Sequence, residues 1–193
     1  MERTHEFFIR QTYTLAYASA QAGFDPFAAL LVKDGEIKAS SSDACIRYSD
    51  PTAHAELSLI SEYCRAKKVI SLEAYTLYAN VEPCVMCSGA IHWSRVSTVV
   101  FGVCQTSLQG LSRGKPKPSC HELINIGKKK TMIIGPLLEQ EGLDVLQAFP
   151  FLSKKERHQK YHSKQALSKS QNNALKQHQE PLSEDNGQSF LTG

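Results

Sequence analysis

The sequence predicts an α/β sandwich, built from helices that alternate with strands. Apolar side chains at helical spacing alternate with short runs that are apolar throughout. Asp34-Gly35 separates two apolar runs, a strong hairpin signal. The runs Tyr75–Ala79 and Thr98–Val103 are rich in strand formers and enclose one helix-sized stretch, an order that lays helices on the faces of a sheet.

The elements follow in chain order. From Glu2 to Ala22, Phe8, Thr12, Leu15 and Ala16 recur at helical spacing, and Gly23 is a natural stop. Pro26–Val32 and Ile37–Ala39 are the arms of the hairpin. From Ala53 to Lys67 the stripe Leu57, Ile60 and Cys64 marks a second helix. Tyr75–Ala79 reads as a buried strand, Cys84–Trp93 as a helix and Thr98–Val103 as another strand. Gln105–Ser119, rich in Gly, Pro, Lys and Ser, reads as a loop. Cys120–Ile126 suits a short helix, Met132–Ile134 a short strand or buried connector, and Leu137–Phe149 a last helix. From Ser153 the chain turns to Gln, Lys and Ser with few large apolar residues. Such a segment cannot offset its ordering entropy, so a frayed helix and a disordered tail are expected there. The 193 residues divide accordingly into one domain over 1–152 and a polar tail over 153–193.

Composition narrows the function. The net charge of +3 permits contact with nucleic acid without implying it. The charged N-terminus leads into no long apolar run, so neither export nor a membrane partner is expected and the cytoplasm is the expected location. In that reducing compartment the six cysteines read as metal ligands or buried thiols.

The chemistry concentrates in His54-Ala55-Glu56 and Glu82-Pro83-Cys84-Val85-Met86-Cys87. One imidazole and two thiols are ligands that zinc (Zn2+) prefers, and a three-ligand site leaves a position for water. Pro83 suits the first position of a helix, which places Cys84 and Cys87 in the first turn on one face. The positive helix end there favours thiolate. Asp50-Pro51-Thr52 precedes the second helix and puts His54 and Glu56 in its opening turn. Glu56 is then the candidate catalytic acid/base, placed to take a proton from that water and return it to a substrate. Two other readings of the cysteines are a redox pair and a structural zinc site completed by Cys104 or Cys120.

These motifs, H-x-E followed by P-C-x-x-C, are the signature of zinc deaminases. The chain resembles the cytidine/deoxycytidylate deaminase superfamily from about Glu2 to Phe149. The likeness is to the branch of guanine deaminases, bacterial nucleoside deaminases and tRNA adenosine deaminases. Asp50–Glu56 and Glu82–Cys87 are similar to both guanine and tRNA adenosine deaminases, whereas Gly89–Arg95, with Trp93, resembles the guanine deaminase form. Cys120–Leu123 and Gly135–Glu139 resemble the nucleoside deaminases. The resemblance implies a three-layer α/β/α sandwich around a mixed sheet, a homodimer, and a nucleobase or nucleoside substrate, with purines favoured. A tRNA adenosine deaminase acting on an anticodon loop is the alternative, and a non-catalytic zinc-binding partner subunit is a third reading.

The resemblance also implies substrate-binding roles for Asp43, Ala55, Trp93, Phe24 and Asp25. Asp43 stands eleven positions before His54, where many relatives place an asparagine that reads the base edge. An ionised carboxylate accepts but does not donate, so Asp43 would favour an N–H or hydroxyl on the substrate. Guanine deaminases carry an aspartate after the strand equivalent to Thr98–Val103, whereas this chain has none between Asp50 and Asp144. Lys128–Lys130 and Lys154–His158 read as solvated surface, with phosphate contact as the alternative.

Overall fold

The computed structural model describes residues 3–112, 118–127 and 130–149, together with 153, 155–156, 158–163 and 165–166. The Lys128-Lys129 pair, Lys154, Arg157 and the tail over 167–193 lie outside the described residues.

The first helix, α1 (His5–Gln21), starts at Thr4, whose side chain accepts a hydrogen bond from the Phe7 amide. It ends at Gly23, whose φ of +90° suits a glycine. The hairpin pairs β1 (Ala28–Lys33) with β2 (Glu36–Ser42) through Asp34 and Gly35, both left-handed, as a two-residue turn requires. Then come α2 (Cys45–Tyr48), α3 (Ala55–Lys67), β3 (Thr76–Val81), α4 (Val85–Ser94) and β4 (Thr98–Val103). The chain closes with α5 (Gln105–Ser112), α6 (Cys120–Ile124), β5 (Met132–Ile134) and α7 (Glu139–Gln147). The sheet order is β2-β1-β3-β4-β5, with β1 antiparallel to both its neighbours and β3, β4 and β5 parallel.

Strand alternation sorts the two faces. Ala29, Leu31, Leu77, Val99 and Phe101 pack with Leu59 and Ile60 of α3, Ile91 of α4 and Ile124 of α6. Leu30, Val32, Tyr78 and Val100 pack with Phe8, Ile9 and Tyr13 of α1 on the other face, where Val145 of α7 joins them. The central strands are therefore buried on both sides and read as continuous apolar runs. Each fully buried Leu, Ile or Val contributes about 1.5–3 kcal/mol. The result is a three-layer α/β/α sandwich around a mixed sheet. Among the described residues no helix is long and apolar enough to cross a membrane.

One expected loop is a helix. Residues 105–112 form α5, because the Glu82 carboxylate accepts the Gln105 amide at 3.0 Å and so holds the helix start. That partner is 23 residues away in sequence, and local composition gives no sign of it.

Candidate metal and substrate site

Two helix beginnings meet beside the C-terminal end of β3. His54 is the N-cap of α3 and Cys84 the N-cap of α4, both with extended backbone. Neither side chain caps its own helix, so both are available to a ligand. Pro83, expected at the first helical position, stands one residue before the cap instead. Cys87 follows one turn into α4 and is fully buried.

The Pro83 carbonyl accepts the buried Ser88 hydroxyl at 3.2 Å. Glu82 is pinned further: its carboxylate accepts the amides of Gln105 and Cys120 at 3.0 and 2.8 Å and the Ser119 hydroxyl at 3.0 Å. Burial works to raise its pKa, but these donors outweigh burial and hold it below the ordinary carboxylate value. The segment that carries Cys84 is thus tied to the starts of α5 and α6.

A ring nitrogen of His54, Cys84 Sγ and Cys87 Sγ all lie within 4.8 Å of one another, and His54 Nδ1 is 3.5 Å from the Cys84 sulfur. A tetrahedral zinc with bonds of about 2.0 Å to nitrogen and 2.3 Å to sulfur would separate its ligand atoms by about 3.5–3.8 Å. The donor set and its spacing fit that ion. Cys104 and Cys120 do not join it: Cys120 is fully buried in the core, and Cys104 Sγ bonds Thr106 and Ser107. Among the described residues three ligands converge and no fourth completes a closed site.

Charges are arranged around this cluster. Glu56 is 9% exposed, and its Oε2 accepts the Cys87 thiol at 3.5 Å. Burial pushes its pKa up to about 7, against its own backbone amide and His54, which favour the ionised form. Hydrogen bonds to Cys45 and then Cys84 push His54 up to about 10. The Cys84 thiol is pushed down, first by the Cys87 thiol and then by His54, while Cys87 is pushed up by Cys84 and by burial. One sulfur of the pair thus already favours thiolate, and a metal would displace the proton of the other.

A cavity of about 180 Å³ opens onto His54 and Glu56, walled by Asp25, Phe27, Asp43 and Asn80. This is below the roughly 300–1,000 Å³ of pockets for drug-sized ligands and suits a single heterocycle. Asp25 and Asp43, two residues expected to touch substrate, are each 2% exposed and line it.

The other three do not line it. Ala55 is fully buried among Leu31, Leu59 and Ile91, because the first residue of α3 packs onto the sheet. Trp93 is 81% exposed and lines a separate groove with His92, Ile124 and Ile126. The inward face of α4 is set by Cys87 and Ile91, one turn apart, and Trp93 falls off that face. Phe24 is buried under the Arg47 guanidinium at 4.6 Å and the Tyr161 ring at 5.1 Å. Residues 158–163 are helical there, and His158 Nε2 lies 3.0 Å from the Ser49 hydroxyl.

Asn80, Gln105, Phe27 and Leu108 were not anticipated in the cavity wall. Asn80 had a signal: it is a polar residue in an otherwise apolar strand. Its Oδ1 accepts the Ala28 amide at 2.8 Å and its Nδ2 donates to the Pro26 carbonyl at 2.9 Å, which fixes the wall beside Asp25.

Comparison with known proteins agrees with this geometry. The model of the cytidine and deoxycytidylate deaminase zinc-binding region matches residues 2–103. Guanine deaminase of Bacillus subtilis (strain 168) is 41% identical over 98 residues, 50% of this chain and 63% of that protein. The chain therefore spans less than two thirds of that relative's length. A tRNA-specific adenosine deaminase of Buchnera aphidicola subsp. Baizongia pistaciae (strain Bp) is 34% identical over 149 residues, covering 77% of this chain and 90% of that protein. A solved guanine deaminase structure from Nitrosomonas europaea superposes with a TM-score of 0.68 over 75% of this chain and 84% of that one. At 21% identity that likeness speaks to the fold alone.

Proposed function

This chain belongs to the cytidine and deoxycytidylate deaminase family, and from that premise we propose that it is a zinc-dependent hydrolytic deaminase of a free nucleobase or nucleoside, purines favoured. The observation that carries the reading is the convergence of His54, Cys84 and Cys87 beside the buried Glu56 carboxylate, with His54 and Glu56 opening onto one cavity. His54, Cys84 and Cys87 would hold the ion. When bound, zinc supplies a positive charge that lowers the pKa of water to about 7 and favours ionised Glu56.

Glu56 accepts the proton of the attacking water and passes it to the ring nitrogen next to the amino-bearing carbon. It then takes the remaining proton from the hydroxyl now bonded to that carbon and gives it to the departing amine as the C–N bond breaks, so that water and the amino compound yield a carbonyl and ammonia. One carboxylate suffices because each transfer occurs at the same cavity wall. Glu82 is less suited to this part, since three donors hold its carboxylate in place and its pKa below the ordinary value. A buried acid beside the cysteine pair also supports catalysis over a non-catalytic partner role.

A tRNA adenosine deaminase is the second reading, favoured by the 90% coverage of the Buchnera relative. It would require an anticodon base splayed into this cavity. Zinc-loaded protein incubated with guanine, adenine, cytosine and their nucleosides is expected to release ammonia from at least one. No release from any of them rejects the leading proposal, and inosine formed in unmodified tRNA promotes the second.

We also place the protein in the cytoplasm, where its six free cysteines would stay reduced, and take residues 1–152 as the deaminase domain. A homodimer is proposed, supported by exposed Trp93 and Ile126 along one groove. Light scattering on purified protein tests it.

A further inference from the structure

We propose that Asp43 and Cys45 are positioning residues of the metal site, which hold the His54 imidazole from the side opposite the cysteine pair. The inference rests on the metal-site reading above. His54 belongs to two groups of mutually close ligand atoms, one with Cys84 and Cys87 and the other with Asp43 and Cys45. Among the described residues no such group combines Cys45 with Cys84 or Cys87, so the ring stands between two sets. Its Nδ1 lies 3.5 Å from the Cys84 sulfur, and with that nitrogen given to the metal Nε2 is assigned to the other set. An imidazole that gives one nitrogen to a metal carries its proton on the other, and that N–H needs an acceptor.

The acceptor side is built and buried. Asp43 is 2% and Cys45 6% exposed. Asp43 Oδ1 accepts the Cys45 amide at 3.2 Å and Oδ2 accepts the Cys45 thiol at 3.4 Å. With its own proton directed at the carboxylate, the Cys45 sulfur turns its lone pairs toward the ring. Asp43, Cys45 and His54 thus form one group, their ligand atoms all within 4.8 Å of one another, in which the Cys45 thiol or the Asp43 carboxylate can accept from the ring.

The loop that makes it is fixed at both ends. The Asp43 amide donates to the Phe27 carbonyl, and the Ala44 amide to the Ala53 carbonyl, each at 2.9 Å. The Asp50 amide donates to the Cys45 carbonyl at 3.0 Å. Asp43 thus lines the cavity while each of its oxygens accepts from Cys45, and it is assigned to the support of His54.

Zinc affinity of the full chain, measured by competition with a chromophoric chelator, tests this without reference to turnover. Cys45→Ala is expected to weaken zinc binding by about 10–100-fold. Cys45→Ser, whose hydroxyl can also accept the ring N–H, is expected to retain most of the affinity. Cys64→Ala, at a half-buried thiol elsewhere on α3, should change nothing. In zinc-loaded protein with 15N-labelled histidine, the His54 Nε2–H resonance should be slow to exchange, and Cys45→Ala should abolish that protection. If Cys45→Ala fails to melt cooperatively, the serine variant and this resonance decide.

Unchanged zinc affinity in both Cys45→Ala and Asp43→Asn, with affinity lost in His54→Ala, overturns the proposal alone. Unchanged affinity in His54→Ala overturns the metal-site reading and this inference with it.

Discussion

Cys87 Sγ lies 3.5 Å from Glu56 Oε2, a contact that joins the two halves of the site across 31 residues of sequence. The acid and a candidate metal-binding thiol are thus held at one point by two different helices. Replacing the carboxylate by its isosteric amide separates their duties. Glu56→Gln is expected to bind zinc in full and to lose about 10²–10⁴-fold in turnover from proton transfer alone. Ammonia release and metal content on the same samples check it; turnover at the wild-type rate would remove Glu56 from the reaction.

The same carboxylate gives metal-free protein a pH signature. Burial raises the Glu56 pKa from 4.5 to about 7. A raised carboxyl pKa contributes stability that is complete below the unfolded value and lost as pH rises through the folded one. Metal-free wild-type protein should therefore lose up to about 3 kcal/mol relative to Glu56→Gln between about pH 4.5 and pH 7. Denaturant melts of both proteins across that range check it, and parallel curves would show that Glu56 ionises freely.

Glu82 supports the cysteine segment without binding metal. Its carboxylate satisfies two buried amides and a hydroxyl at the starts of α5 and α6. Glu82→Ala leaves these donors unpaired, at a cost of about 2–4 kcal/mol. Urea denaturation should show that loss, and zinc affinity should fall with it because the segment before Cys84 loosens. A stability change under 1 kcal/mol would mean that water replaces the carboxylate.

The main sheet was legible, and the candidate ligand group could be named, because local pattern decides both. Asp34-Gly35 fixes a two-residue turn by its left-handed requirement, and the apolar runs of β3 and β4 admit little besides a doubly covered sheet. His54, Cys84 and Cys87 stand out as candidate ligands because few residue types bind zinc, and the fold brings them together. The failures share a cause in tertiary partners. Helix α5 depends on Glu82, and a polar, glycine-containing stretch conceals it. The resemblance implies a substrate-binding role for Trp93, whose place off the cavity wall is set by the angle it takes on α4 relative to Cys87 and Ile91. Cys45 reads in sequence as a small buried side chain, and only the folding of the 43–54 loop sets it against His54.

Asn80 controls the cavity wall rather than the chemistry. It satisfies the Ala28 amide and the Pro26 carbonyl at once, and the neighbouring Asp25 carbonyl is held by the Ser19 hydroxyl at 2.8 Å. The Asp25–Phe27 segment is thus fastened on both sides. Asn80→Ala would strand a buried donor and a buried acceptor, costing about 2–4 kcal/mol. Asn80→Asp keeps the acceptor for Ala28 but sets a carboxylate oxygen against the Pro26 carbonyl, so it should destabilise at least as much despite its matching size. In both variants KM should rise more than kcat falls, because Glu56 and the metal ligands sit on other elements and stay in place. Steady-state kinetics beside urea denaturation checks this. A fall in kcat at constant KM would show that Asn80 acts on the reaction itself.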